Sequence, residues 1–93
     1  MPRVLKKRTP ILTSELIRAA RALLRWEQRQ LAEASSVSLP TIKRLEAKPG
    51  VLVAHNSTLA LLRAAFEAAG VEFTNGDRPG VRLRQVHRRI ESL

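Results

Sequence analysis

The chain has no cysteine, no tyrosine, only three aromatic residues, and no unbroken apolar run longer than four residues, as at 51–54. Each shortage excludes something. Without cysteine there is no disulfide framework and no thiolate metal site. His55 and His87 are the only histidines. They lie too far apart in sequence to form a metal-ligand pair at helical spacing, so neither a metal nor a cofactor is expected. Trp26, Phe66 and Phe73 are too few for a platform on which single-stranded nucleic acid could stack. Runs of four apolar residues cannot span a membrane. The basic N-terminus has no apolar stretch behind it and does not read as a secretory signal. The expected compartment is the cytoplasm, with no membrane partner. A glycine-rich phosphate loop is absent, the acids are scattered, and Ser57 sits where a helix cap belongs, so an enzyme is not expected.

What is abundant is positive charge. Ninety-three residues carry a net charge of +9, enough length for one domain with a small core. The placement of the charge is informative. Residues 1–9 hold Arg3, Lys6, Lys7 and Arg8 and no acid, a net +4. Residues 78–93 hold five arginines and Glu91, again +4. The stretch 10–77 has eight basic and seven acidic side chains, a net +1. Cationic ends on a nearly neutral centre point to a polyanionic partner.

Read along the chain, residues 1–12 form a basic N-terminal arm, extended because Pro2 and Pro10 break regular structure, with little to bury. A first helix is expected from Thr13, whose hydroxyl can cap it, with Glu15 near its positive end. Leu16, Ile17, Ala20, Leu23 and Leu24 share one face, and Arg18, Arg21 and Arg25 point elsewhere. The second helix is expected over 28–35 and the third over 39–47, the latter with Ser38 as cap and Pro40 in its first turn. Pro49 and Gly50 end it, and residues 48–56 form a loop with an apolar insert. The fourth helix starts at Asn56 or Ser57 and ends at Gly70, with Leu59, Leu62 and Phe66 as its main stripe and Leu61, Ala65 and Ala69 beside it. Beyond it the period changes. Residues 71–74 and 81–84 alternate around a segment dense in turn formers, which predicts a β-hairpin. A final helix is the rival, since Leu83, Val86, Ile90 and Leu93 also match helical spacing. The domain layout is therefore an arm (1–12), a helical domain (13–70), and a strand or hairpin with a basic tail (71–93).

Helices two and three carry the functional signal. Ala32 supplies the small residue where they cross. Leu31, Val37, Ile42 and Leu45 supply the lock. With Ile42 and Leu45 on the buried face, Leu39, Pro40, Lys43 and Arg44 face outward. That is the arrangement of a helix-turn-helix whose second helix enters the DNA major groove.

On these residues the chain resembles an Xre/Cro-type helix-turn-helix regulator. The resemblance covers 17–24, Trp26, Gln28, 38–46, 57–59, 68–73 and 79–83, the last block being similar to short bacterial regulators with a strand or hairpin after the helices. It implies a mainly α, lambda-repressor-like bundle of four or five helices with a C-terminal β-hairpin or strand. It also implies roles. Leu39, Pro40, Lys43 and Arg44 are the expected base-reading positions. Arg44 can grip guanine through two hydrogen bonds, whereas Leu39 and Pro40 offer apolar contact to a thymine methyl. Sparse direct reading would leave more to DNA shape. Gln28, Arg29, Ser38, Thr41, Lys48, Asn56 and Ser57 are the expected phosphate contacts, and the arm residues Arg3, Lys6, Lys7 and Arg8 follow the backbone or minor groove. Three positions depart from the family pattern. Arg25 and Ser36 stand where glycine is common, and Glu27 stands where a capping Ser or Thr is common.

The function implied is a sequence-specific regulator of transcription, a repressor, bound to double-stranded DNA as a homodimer. Val71, Phe73, Val81 and Leu83 are the expected dimerisation residues, because a lone hairpin with one apolar face is marginal in water. Two other functions fit the same sequence. One is an antitoxin that binds a protein toxin, or another protein antagonist, and represses its own operon. The other is an architectural or recombination-accessory protein that bends DNA with little base reading.

Overall fold

A computed structural model describes residues 11–74 and 78–84. Four helices are followed by a two-stranded antiparallel hairpin: α1 (Ser14–Leu24), α2 (Gln28–Ser35), α3 (Leu39–Ala47), α4 (Asn56–Ala68), β1 (Val71–Thr74) and β2 (Gly80–Leu83). None of the described helices is long and apolar enough to cross a membrane.

Local chemistry accounts for the boundaries. The Thr13 hydroxyl accepts from the Leu16 N–H at 3.0 Å and starts α1, and Ser38 does the same for α3 through the Thr41 N–H at 3.3 Å. Pro40 lies in the first turn of α3, where a missing N–H costs nothing. α1 and α2 both end on a left-handed residue, Arg25 at φ 60° and Ser36 at φ 64°. The two departures from glycine thus keep the turn and carry its strain, a cost of about 1–2 kcal/mol each for an L side chain. Glu27 caps α2, and Gln30 returns to accept from the Glu27 N–H at 2.7 Å. α4 begins after His55, so Ser57 lies inside its first turn and is not its cap. Gly70, at φ +98°, turns the chain from α4 into β1.

The core is one cluster. Ala20, Leu31 and Phe66 are fully buried, and Ile17, Ile42, Leu62 and Val71 nearly so. All three aromatics meet in it: Trp26 stacks on Phe66, and Phe73 meets the Phe66 edge, both with centroids 5.9 Å apart.

Several expectations change. Leu12, expected in the arm, is buried at 3% exposure. Its carbonyl accepts from the Leu52 N–H at 3.1 Å, the Ser14 N–H donates to the Gly50 carbonyl at 2.9 Å, and Thr13 bridges to Val51. The loop after α3 is thereby stitched to the start of α1. Leu23 and Leu61 are exposed rather than core, because the partner helices cover a narrower arc than the apolar stripes offer. β2 begins at Gly80, one residue early, and pairs Thr74 with Gly80, Phe73 with Val81, Glu72 with Arg82 and Val71 with Leu83.

Most of the hairpin's apolar face is turned onto the chain's own bundle. Val71 is 1% exposed, and Phe73 and Val81 pack on the chain's own core. β1 lies against α4 and β2 against α1. Val71 is therefore a core residue, and Phe73 and Val81 are half-buried against that core, on the side of the sheet that faces the bundle. Leu83 alone of the four stays largely exposed, at 47%. The expectations for Arg3, Lys6, Lys7, Arg8 and for a final helix after 84 fall outside the described residues.

Candidate nucleic-acid interface

The turn between α2 and α3 is held from within. The buried Ser35 hydroxyl donates to the Leu31 carbonyl at 2.7 Å and accepts from the Val37 N–H at 3.1 Å. Val37 is buried, as are Ile42 and Leu45 on the inner face of α3. That seating leaves Pro40, Lys43 and Arg44 exposed on the outer face, with Leu39 half-buried beside them. All four expected base-reading residues thus share one side of α3, from Leu39 and Pro40 in its first turn to Arg44 in its last. Among the described residues, neither Lys43 nor Arg44 has an ion-pair partner. Exposed cations without internal partners are free to meet an external anion.

The expected phosphate contacts divide. Arg29, Ser38, Lys48, Asn56 and Ser57 are exposed, and Thr41 is half-buried. Ser38 and Thr41 engage each other, with the Ser38 hydroxyl donating to Thr41 Oγ1 at 2.9 Å, so an anion there competes with a bond already made. Gln28 turns inward: its amide donates to Glu46 Oε1 at 3.0 Å. The outer surface beside α2 is mixed in sign, with Arg25 and Arg29 next to Glu27 and Glu33.

A polar network under α3 escaped the reading of the sequence. Glu46 has a side chain only 4% exposed and sits in the last turn of α3. Arg21 grips it twice, Nε to Oε2 at 2.8 Å and Nη2 to Oε1 at 2.7 Å, and donates through Nη1 to the Trp26 carbonyl at 3.0 Å. Arg18 donates to the Glu46 carbonyl at 3.0 Å. Arg21 therefore points into the bundle, contrary to its expected outward position, because a buried carboxylate needs a charged, geometrically matched partner. The Arg21–Glu46 pair joins four segments: Glu46 at the end of α3 binds α1 and the start of α2, and Arg21 ties the pair to the α1–α2 turn. Its location supplied one available signal. An acid in the last turn of a helix opposes the helix dipole, so its presence asks for a cation brought from elsewhere.

A second acid braces the other side. Glu15 accepts from the Gly50 N–H at 3.1 Å. Bonds from its own backbone N–H and from that of Gly50 hold its carboxyl below the usual carboxylate range. This tie and the Thr13–Val51 bridge fix the loop that leaves α3.

Between the end of α3 and that loop lies a cleft of about 370 Å³, bordered by Arg44 and Lys48 and otherwise apolar. Of the outward cations, Arg44 and Lys48 share this cleft, and most of its wall is the loop after α3, which helical spacing does not place. Compared with known proteins, the chain matches no family model and no curated relative.

Proposed function

We propose that the protein is an Xre/Cro-type regulator of transcription that binds double-stranded DNA with α3 in the major groove. The observation that supports this reading best is the division of α3 into two faces. Ile42, Leu45 and Glu46 are buried and tied to α1 and α2, while Pro40, Lys43 and Arg44 stand exposed on the other side. A short helix gripped along its inner face and cationic along its outer face can enter a groove without deforming. In this reading Arg44 contacts a guanine edge, Leu39 and Pro40 meet thymine methyls, and Arg29, Lys43, Lys48 and the arm cations neutralise phosphates. Gln28 acts by bracing Glu46 and reaches a phosphate only if that bond is exchanged.

One such helix reads few base pairs, so the reading includes a homodimer on a two-part operator with recognition helices about 34–36 Å apart. Contact between copies would use strand edges and Leu83, because Val71, Phe73 and Val81 pack on the chain's own core. Repression in the cytoplasm is the regulatory form proposed.

The test is selection of genomic fragments on the purified full chain, followed by competition between the recovered site and scrambled duplexes. A recovered site preferred by about 10³ or more over scrambled DNA is expected of a specific regulator. Equal binding to all duplexes would replace the regulator with an architectural protein, and no binding at low salt would remove DNA from the reading.

A further inference from the structure

We propose that the open backbone edge at 51–53 and the cleft beside it dock an extended acidic segment of a protein partner. The backbone points to it first. Thr13 and Val51 form an antiparallel bridge in which the bonds are made by their neighbours, Ser14 to Gly50 and Leu52 to Leu12. In that pairing Val51 turns its own N–H and C=O to the opposite side. Among the described residues neither group has a backbone partner. The side chains alternate as in a strand: Val51 is 63% exposed, Leu52 6% and Val53 85%. An extended segment whose outward backbone groups have no partner among the described residues, and whose valines are exposed, is a template for one more strand.

Charge selects the occupant. The cleft runs along 51–53, and no described residue of 11–14 lines it, so it lies on the open side of the bridge. Arg44 and Lys48 border it, and among the described residues no acidic side chain does. A second copy paired on this edge would bring Arg44 and Lys48 towards their own equivalents, a like-charge juxtaposition. A DNA strand would satisfy the cations, but its phosphates have no N–H for the Val51 carbonyl. A peptide whose apolar residues alternate with carboxylates meets all three features: edge, valines and cations.

The regulatory consequence rests on the DNA-binding reading. Arg44 belongs both to the outer face of α3 and to the cleft, so a docked acidic strand withdraws it from DNA. A partner of this chemistry would release the operator by competition, with no ligand-sensing domain required.

The experiment uses the full chain, labelled with ¹⁵N, and a blocked heptapeptide, Glu-Leu-Asp-Val-Asp-Leu-Glu. The amides of Val51, Leu52 and Val53 should shift on titration, and exchange of the Val51 N–H should slow. Replacing the peptide's acids by lysine, or Lys48→Glu in the protein, should each weaken binding about tenfold or more, the scale of a lost charge pair at an interface. N-methylation of alternate peptide nitrogens should abolish binding, since side chains and charge are unchanged while the backbone donors are lost. The proposal is overturned by an absence of shifts at 51–53 at millimolar peptide, by equal binding of the lysine peptide, or by shifts confined to β1 and β2. It is also overturned if duplex DNA moves these amides and the peptide does not. Peptide docking on a chain that binds no DNA upholds the surface and sinks the regulator reading alone.

Discussion

Arg21→Leu should be the most damaging single substitution on the polar side of this fold. It strands the Glu46 carboxylate, 4% exposed, with the Gln28 amide as its remaining side-chain donor. Removing one member of a buried ion pair costs about 3–5 kcal/mol, because the other charge stays desolvated. The Trp26 carbonyl loses its Arg21 bond as well. Glu46→Gln should cost less, about 1–3 kcal/mol. Its amide oxygen can still accept from Gln28, and the orphaned Arg21 side chain is 19% exposed and can reach water. A domain of this size is stable by about 5–14 kcal/mol, so either change is a large fraction of the whole. With a urea dependence of about 1–2 kcal/mol per molar, Arg21→Leu should lower the unfolding midpoint by roughly 2–4 M. The double variant Arg21→Leu/Glu46→Gln should recover part of the loss, a coupling of at least about 1 kcal/mol. Helix content followed against urea for the four proteins of the cycle provides the measurement. Additive single effects, or a cost for Arg21→Leu below about 1 kcal/mol, would show that the network does not hold α3 in place.

Four further outcomes follow from the same geometry. Arg44→Ala should reduce discrimination at one guanine by about 1–3 kcal/mol in a folded protein, read by titrating single-base operator variants; an unchanged preference removes Arg44 from the reading set. Deleting residues 1–8 should leave the urea midpoint unmoved and lower the slope of log affinity against log salt by about 3–4, the share of four phosphate contacts; an unchanged slope would show that the arm does not touch DNA. Ser36→Gly should raise stability by about 0.5–1 kcal/mol, since glycine relieves the left-handed strain at φ 64° while adding freedom to the unfolded chain, and a destabilised variant would show that the side chain compensates for the turn. For Glu15, the folded carboxyl titrates below its unfolded counterpart. Its contribution is present above the unfolded value and is lost as the pH falls through the folded one. Glu15→Gln should therefore flatten the stability profile below about pH 5, and parallel profiles for the two proteins would contradict the Glu15–Gly50 tie.

What could be read in the sequence is what neighbours along the chain decide. Thr13 and Ser38 announce helix starts by offering a hydroxyl to a free N–H three residues on. Pro49 with Gly50, and Gly70, announce stops because helical geometry fails there. Ile42 and Leu45, three apart, orient α3, and that orientation placed Pro40, Lys43 and Arg44 on the outer face. These interactions act within one turn, so residue type and spacing suffice. The features that needed the tertiary structure join residues far apart in the chain. Arg21 meets Glu46 across 25 positions; its spacing from Ile17 sets it nearer the buried face of α1 than Arg18 or Arg25, but the acid that it meets there is not local. Leu12 is core because the loop at 50–52 returns to pair with it. The hairpin's alternation was legible, but whether Val71, Phe73 and Val81 face their own bundle or a second chain depended on space left open between α1 and α4, which only the packed helices define. Phe66 meets Trp26 on one side and Phe73 on the other, and Val71 is buried with it, so the hairpin packs on its own chain through contacts that join residues far apart in the sequence.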